Sequence, residues 1–398
     1  MRIEPNSVPF TLLLGLMASL PTLGADMILP SLSATGADLG ATSAEVGLIM
    51  SVYLVSLGAA PLAYGPISDR FGRKCIVVFG CVLVVIASIG CAFSVSLRQL
   101  LFFRVLQGAG ASATAVAAVA IVRDIFDGAA AAAKISNVIL AIYLVPMFAP
   151  TVGAALLAFS SWRAIHLFPI VGALVLLAAM CGFTESARID PKARLSPAAI
   201  LWNYVRLSRH PICLGNILCN AAAAGAVFAY VTGSSLLLIT GLGFHPHQYG
   251  LIFGASALSV IAGTRVNIIL GGLELAPTKV VALGLILSTM LAACLLVMAL
   301  AGGQSGAVVI FVMIGVAFSF GLMSPCLINE ALAPLPDIMG SINAARTFVQ
   351  MMSAALSSAV VAGLFDGHSA FSMAVVMLAF CLLADATYIW IVLSAKNL

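Results

Sequence analysis

Twelve runs of about 20 predominantly apolar residues follow one another along the 398-residue chain, and this repetition decides most of what it can become. A helix of ~20 residues crosses the ~30 Å hydrocarbon core of a bilayer, whereas a barrel strand needs only ~10 residues of alternating character. Inside the bilayer no water bonds the backbone, so only helices and closed barrels span it. These runs are long and do not alternate, which rejects the barrel. Composition agrees: 62% of residues are apolar, 8% are charged and the mean hydropathy is +1.17. Soluble domains carry about 25% charged residues, so an ordinary soluble enzyme and a disordered chain are both excluded.

The runs cover residues 9–29, 44–64, 75–93, 97–122, 135–159, 164–184, 212–238, 248–270, 279–300, 305–327, 340–364 and 370–393. The first is too long for the core of a signal peptide and reads as a retained spanning helix. With the amino terminus inside, thirteen of the Lys and Arg residues fall on the cytoplasmic side. Only Arg98 and Arg163 fall outside, and Arg104, Arg265 and Arg346 fall within the bilayer. Both termini are therefore expected in the cytoplasm.

The longest hydrophilic interruption, 185–210, carries five basic residues and two prolines. It divides the chain into a first six-helix bundle, 1–184, a cytoplasmic linker, 185–210, and a second six-helix bundle, 211–398. A short internal repeat supports duplication. Leu39-Gly40, six residues, then Gly47-Leu48-Ile49 returns as Leu242-Gly243, six residues, then Gly250-Leu251-Ile252. The first copy holds a capping box from Thr42 to Glu45, and the second has Pro246 at the helix start. Parallel halves related by an axis along the membrane normal are known from one large transporter architecture.

The formal net charge of +4 is spread over short loops without a basic stripe, so no nucleic-acid partner is expected. The nine cysteines show no paired spacing and imply no disulfide framework. The five histidines give no metal constellation, and no G-x-x-x-x-G-K-[ST] run occurs to hold ATP. No metal and no cofactor is expected. The energy source is then an ion gradient or the solute itself.

Asp26 is the strongest single-residue clue. At ~1.5 Å per residue it lies ~25 Å along the first run. A carboxylate in the bilayer costs about 2.5–3.5 kcal/mol on insertion scales and marks a functional site. The competing reading has the segment ending earlier, with Asp26 as a cap. Arg104 lies early in the fourth run, with Gln107 and Gly108 one turn on. An always-charged guanidinium near a carboxylate holds it ionised, and moving it away lets a proton bind. The alternative is a snorkelling arginine at the outer interface. Pro146, Pro150 and Gly153 make a bent, close-packing face on the fifth run. Tyr53, Gln107, Tyr143, Asn220, Tyr230, Arg346 and Gln350 are candidates for a cavity wall, and Asp385, inside the last run, either pairs with a polar neighbour or lies close enough to the cytoplasm to hydrate, a structural role being favoured over one in coupling.

The most specific motif is Gly65-Pro66-Ile67-Ser68-Asp69-Arg70-Phe71-Gly72-Arg73-Lys74. Its two glycines are expected to permit a tight cytoplasmic turn, and its charges to dock on neighbouring helix ends. The run resembles G-x-x-x-D-R-x-G-R-[RK], the signature loop of the major facilitator superfamily. Arg104 to Ala111 resembles the same superfamily. Pro146 to Ala154 looks like its antiporter motif, with alanine at two positions where glycine is usual. With Asp26-Met27-Ile28-Leu29-Pro30 and Ser161-Trp162-Arg163-Ala164, these runs are similar to the Bcr/CflA branch of drug exporters.

The resemblance implies an all-α membrane protein, with twelve transmembrane helices in two pseudo-symmetric six-helix bundles. It implies a proton-coupled antiporter of the bacterial inner membrane that exports small amphipathic compounds by alternating access. Its expected partners are the solute, protons and membrane lipid, and a monomer is expected. Asp26 would be the protonation site and Arg104 its coupling partner. Gly65, Asp69, Arg70, Gly72, Arg73 and Asp124 would form the cytoplasmic gate, with Asp69 at the start of helix eleven near Gly340 and Arg70 or Arg73 on Asp124 or Asp127. Two rival readings stay open: a proton-coupled symporter importing a nutrient, and an embedded receptor or enzyme without transport.

Overall fold

The computed structural model describes residues 7–187, 197–303 and 305–395, with the backbone alone for Pro66, Asp69, Ala129, Ala132, Ser136, Ile139, Tyr143, 197–200 and Ala395. Arg2, Arg188, Lys192, Arg194 and Lys396, counted for orientation, lie outside the described residues. The helices are α1 (Val8–Asp26), α2 (Leu32–Leu39), α3 (Ser43–Ala59), α4 (Pro61–Phe71), α5 (Arg73–Ala92), α6 (Leu97–Ile125), α7 (Gly128–Phe159), α8 (Trp162–Gly182), α9 (Pro197–Arg209), α10 (Pro211–Ser234), α11 (Pro246–Gly272), α12 (Pro277–Leu300), α13 (Gly306–Leu332), α14 (Met339–Gly363) and α15 (Phe371–Ala395).

These elements make twelve membrane segments and one linker helix. α1 and α2, joined through a short 3₁₀ turn at Leu29–Ser31, form a single 32-residue segment. The first segment thus ends at Leu39, not at residue 29. α3 runs on into α4, and a π-helical turn at Ser235–Gly241 extends α10. Among the described residues, eleven segments are long and apolar enough to cross a bilayer. The twelfth, α14, is as long, but Asn343, Arg346, Gln350 and several serines lower its hydropathy, while Leu356 and Val360 on it are exposed.

The helix pairings repeat between the halves. In the first, α3 packs on α6, α5 on α6 and α8, and α1 on α6 and α7. In the second, α11 packs on α13, α12 on α13 and α15, and α10 on α13 and α14, in the same order along the chain. Across the halves α3 meets α14 and α7 meets α11, again as symmetry equivalents.

The internal repeat acquires a physical meaning here. Gly40 and Gly243 adopt left-handed φ of 63° and 70°, which glycine reaches without steric cost. The helix starts that follow are both boxed, Thr42 with Glu45 and His245 with Gln248. Gly47 then lies against α14, where a Cβ would come 2.2 Å from the Ala362 Cβ, and Gly250 lies against α7, where a Cβ would come 2.8 Å from the Thr151 Cα. Without a hydrophobic force between helices in lipid, such close backbone approach is what holds them.

The end of the bundle remote from the termini is closed. One apolar cluster there joins both halves, including Ile28, Leu32, Ile49 and Met50 of the first with Tyr230, Leu238, Phe253 and Met373 of the second. Three hydrogen bonds cross the same seam: Ser33 with Thr240 at 2.7 Å, Ser51 Oγ to Ala355 O at 2.9 Å, and Ser235 Oγ to Leu29 O at 2.5 Å. Toward the termini the large clusters separate. One, around Leu14, Val77, Ile121 and Leu176, belongs to the first half alone, and two others belong to the second half and its linker helix. The halves therefore part toward the termini-bearing end.

Candidate functional site

Proline chemistry shapes the first segment. Pro21 lacks an N–H, so the carbonyl four residues back, Met17 O, loses its helical donor. The Thr114 hydroxyl takes that carbonyl at 2.7 Å. α1 ends at Asp26, and Tyr53 Oη donates to Pro21 O at 2.7 Å. Gly24 makes room for this contact, since a Cβ there would lie 2.5 Å from the tyrosine oxygen. Asp26 is 7% exposed and makes no hydrogen bond or ion pair among the described residues. It lies within electrostatic range of Tyr53 and, across the seam, of Tyr230 and Tyr249. The reading of Asp26 as a mere cap at an early segment end fails: α1 stops there, but the segment runs on to Leu39 and the side chain is buried.

Arg104 is fully buried, so the snorkelling alternative fails. Its Nη1 donates to Gly24 O and to Gln107 Oε1, both at 2.8 Å, and its Nε to Ile49 O at 3.3 Å. The guanidinium stacks over the Tyr53 ring at 4.1 Å. A cation beside the last turn of α1 also meets the negative end of that helix. Gln107 passes the chain on by donating to Ser88 Oγ at 2.8 Å. Gly108 lets α6 come close enough for this, since a Cβ there would lie 2.6 Å from Tyr53 O. Arg104 and Asp26 thus flank the same helix end without touching: Arg104 holds the backbone, and the carboxylate points elsewhere.

At the termini-bearing end, Gly65 is helical inside α4, not a turn residue. Only Gly72 turns, with φ 96°. The expected double-glycine turn is therefore a single one, because α4 keeps its hydrogen bonds up to Phe71. Arg73 Nε donates to Asp124 Oδ2 at 2.8 Å, and its Nη1 to Ser68 Oγ at 2.5 Å. Arg70 instead lies over the Phe71 ring at 5.5 Å. The Asp69 side chain, expected near Gly340, lies outside the described residues. Glu185, which the sequence reading assigned only to the linker, accepts from the Arg73 and Lys74 backbone N–H groups at 2.9 and 3.1 Å. An anion at a helix start is favoured by the helix dipole, and the acid directly after the sixth segment was the available signal.

Comparison with known proteins decides the family. The Major Facilitator Superfamily description matches residues 14–358. The chain belongs to the Major Facilitator Superfamily. Of the readings left open, this membership supports a transporter over an embedded enzyme. It is 34% identical over 263 residues to a chloramphenicol resistance protein of Pseudomonas aeruginosa, covering 64% of this chain and 60% of that one. It is 27% identical over 270 residues to a bicyclomycin resistance protein homolog of Haemophilus influenzae, covering 67% of each. The match thus spans about two thirds or less of the length of these relatives. Among solved structures, a bacterial homolog of the human lysosomal transporter Spinster, inward-facing and occupied, superposes with a TM-score of 0.74 at 13% identity, covering 100% of this chain and 98% of that one. The all-α fold of twelve helices in two bundles is that of the superfamily.

Of the remaining candidates for a cavity wall, Gln107, Asn220 and Arg346 have separate hydrogen-bond partners among the described residues. Tyr53 and Gln107 belong to the Arg104 knot. Asn220 is buried and donates to Ser324 Oγ at 2.8 Å, while its Oδ1 has no partner among the described residues. Arg346 is held by Asn343 Oδ1 at 3.0 Å and Gln350 Oε1 at 2.8 Å on the polar face of α14. Tyr230 lies buried in the closed seam, and the Tyr143 side chain lies outside the described residues. Asp385 accepts from Thr289 Oγ1 at 2.8 Å, so of its two expected surroundings it has the polar neighbour. α7 stays helical through Pro146 and Pro150, and Gly153 packs on the break after α1.

Two further groups were missed. Asp38 Oδ2 accepts from Trp162 Nε1 at 3.0 Å and from Arg163 Nη1 at 2.5 Å, tying α2 to α8. His166, one turn on, is buried with Nε2 unpartnered among the described residues and packs edge-on against Trp162. The Ser161-Trp162-Arg163-Ala164 run was the signal for the first; a lone histidine in an apolar run gave none for the second.

Proposed function

We propose that this protein is a proton-coupled antiporter that exports small amphipathic compounds across a bacterial inner membrane, with both termini in the cytoplasm. The Lys/Arg asymmetry supports the orientation. In that frame the closed end faces outward and the parted end opens to the cytoplasm. The relatives named for chloramphenicol and bicyclomycin resistance support export over nutrient import.

One observation carries the reading: Asp26 is a buried carboxylate at a helix break, directly beneath the closed seam and within range of both halves. Its surroundings change when the seam opens, because Tyr230 and Tyr249 then move away with the second half. A group whose environment switches between two openings binds a proton on one side and releases it on the other. Arg104 serves as the anchor that keeps the α1 end in place during this exchange. A proton crossing 100 mV supplies about 2.3 kcal/mol and each pH unit about 1.4 kcal/mol, so one proton sustains a gradient of roughly a few hundred-fold.

The test is flux in proteoliposomes carrying a pH gradient. Asp26→Asn should abolish gradient-driven flux of a resistance-type solute such as chloramphenicol, while the variant stays folded and still binds that solute. Undiminished gradient-driven flux in this variant removes Asp26 from the coupling.

A further inference from the structure

The transport reading makes no use of α9, yet this helix is held firmly. Asn203 Nδ2 donates to Ser341 Oγ at 3.3 Å, and Arg206 donates to Asp337 from Nη1 at 2.6 Å and Nη2 at 3.4 Å. Leu207 is buried with Ile217, Ala331, Ile338 and Ile342. The other side of the helix has no partner among the described residues: Leu201 is 65% and Trp202 58% exposed, and Arg209 is exposed as well.

The position of α9 says what covers this face. Its last residue is separated by one residue from Pro211, which opens a 31-residue spanning segment, so the helix lies where hydrocarbon gives way to headgroups. The three anchoring contacts run along the helix and press it against the start of α14, so it lies across the end of the second half. The stretch 197–209 contains no acidic residue and two arginines. An exposed Leu–Trp pair beside cations matches the pattern of interfacial helices: indoles favour the headgroup level, apolar side chains enter the acyl boundary and guanidinium groups meet phosphates.

We propose that the Leu201–Trp202–Arg209 face of α9 docks on anionic phospholipid in the leaflet at the termini-bearing end. The inference is independent of proton coupling. Because α9 grips Asp337 and Ser341, lipid bound there also steadies the first turn of α14, one of the helices that forms the seam between the halves.

The test uses the full-length protein in nanodiscs of phosphatidylcholine, with and without phosphatidylglycerol. The difference between the emission of the parent and of Trp202→Phe isolates Trp202. Acyl chains brominated near the headgroup should quench this emission about twofold, and chains brominated near the methyl end much less. Phosphatidylglycerol should deepen the quenching, and Arg209→Gln should remove that dependence. Emission at the position of a water-exposed indole, untouched by bromine, overturns the proposal and assigns the face to a soluble partner. Quenching that ignores phosphatidylglycerol overturns the anionic specificity.

Discussion

Gly153 of α7 lies directly against the carbonyl oxygen of Met27, so closely that a Cβ at that position would sit 2.1 Å away. The neighbouring atom is backbone, at the break that follows Asp26, and backbone has little room to yield. The glycine of the antiporter-like run thus sets the position of the break that presents the carboxylate.

Gly153→Ala should therefore displace the Asp26 region. Overpacking of this kind costs about 1–3 kcal/mol, and gradient-driven flux should fall well below that of Gly271→Ala, where an added Cβ meets nothing within 4 Å. Thermal unfolding and proteoliposome flux, measured side by side, check this. Equal behaviour of the two variants refutes it.

Ser33 and Thr240 approach to 2.7 Å across the closed end. In a background freed of the native cysteines, Ser33→Cys with Thr240→Cys should form a disulfide under mild oxidation and stop flux, with recovery on reduction. Full flux in the oxidised pair would mean that this end need not open.

Arg104→Lys keeps a charge but loses the planar fork that reaches Gly24 O, Gln107 and Ile49 O together. Each acceptor left bare in the interior costs roughly 1–3 kcal/mol. The variant should melt lower than the parent and lose active transport, whereas a snorkelling residue would tolerate the exchange. Melting curves in detergent and flux in vesicles distinguish the outcomes.

The pH dependence of α9 docking has a definite sign. The hydrogen bond from Arg206 holds the Asp337 carboxyl below its ordinary value of 3.8. A depressed carboxyl contributes stability above its unfolded value and loses it as pH falls through the lower folded value. Amide exchange in α9 should stay slow at neutral pH and quicken only below 3.8, while Asp337→Asn should quicken it throughout. An α9 that loosens already at pH values near 6 contradicts this assignment.

Hydropathy made the segments legible because each must satisfy its own backbone in lipid. Even α14, the least apolar, stood out as an apolar run of spanning length at 340–364. The ends were less legible: α2 and α4 extend their segments because the chain beyond the apolar run still has helical donors and acceptors to pair. Asp26 and Arg104 were visible as costly charges, and Arg73–Asp124 as one of the pairs expected from the signature loop. The partners of Arg104 were not visible, since two of them are main-chain carbonyls of Gly24 and Ile49, which no side-chain letter announces. Glu185 and Asp38 were hidden for a related reason: each acts on a helix end or an indole brought near by packing between distant segments.

The seal between the halves at the closed end joins an apolar cluster to hydroxyls, carbonyls and close glycine contacts, and no ion pair crosses it among the described residues. Ionic atmosphere has no charge pair across the seam to screen, and the titrating carboxylate of Asp26 lies beneath it, out of solvent. A cell passing from dilute medium to brine would find this lid equally tight, and equally easy to lift.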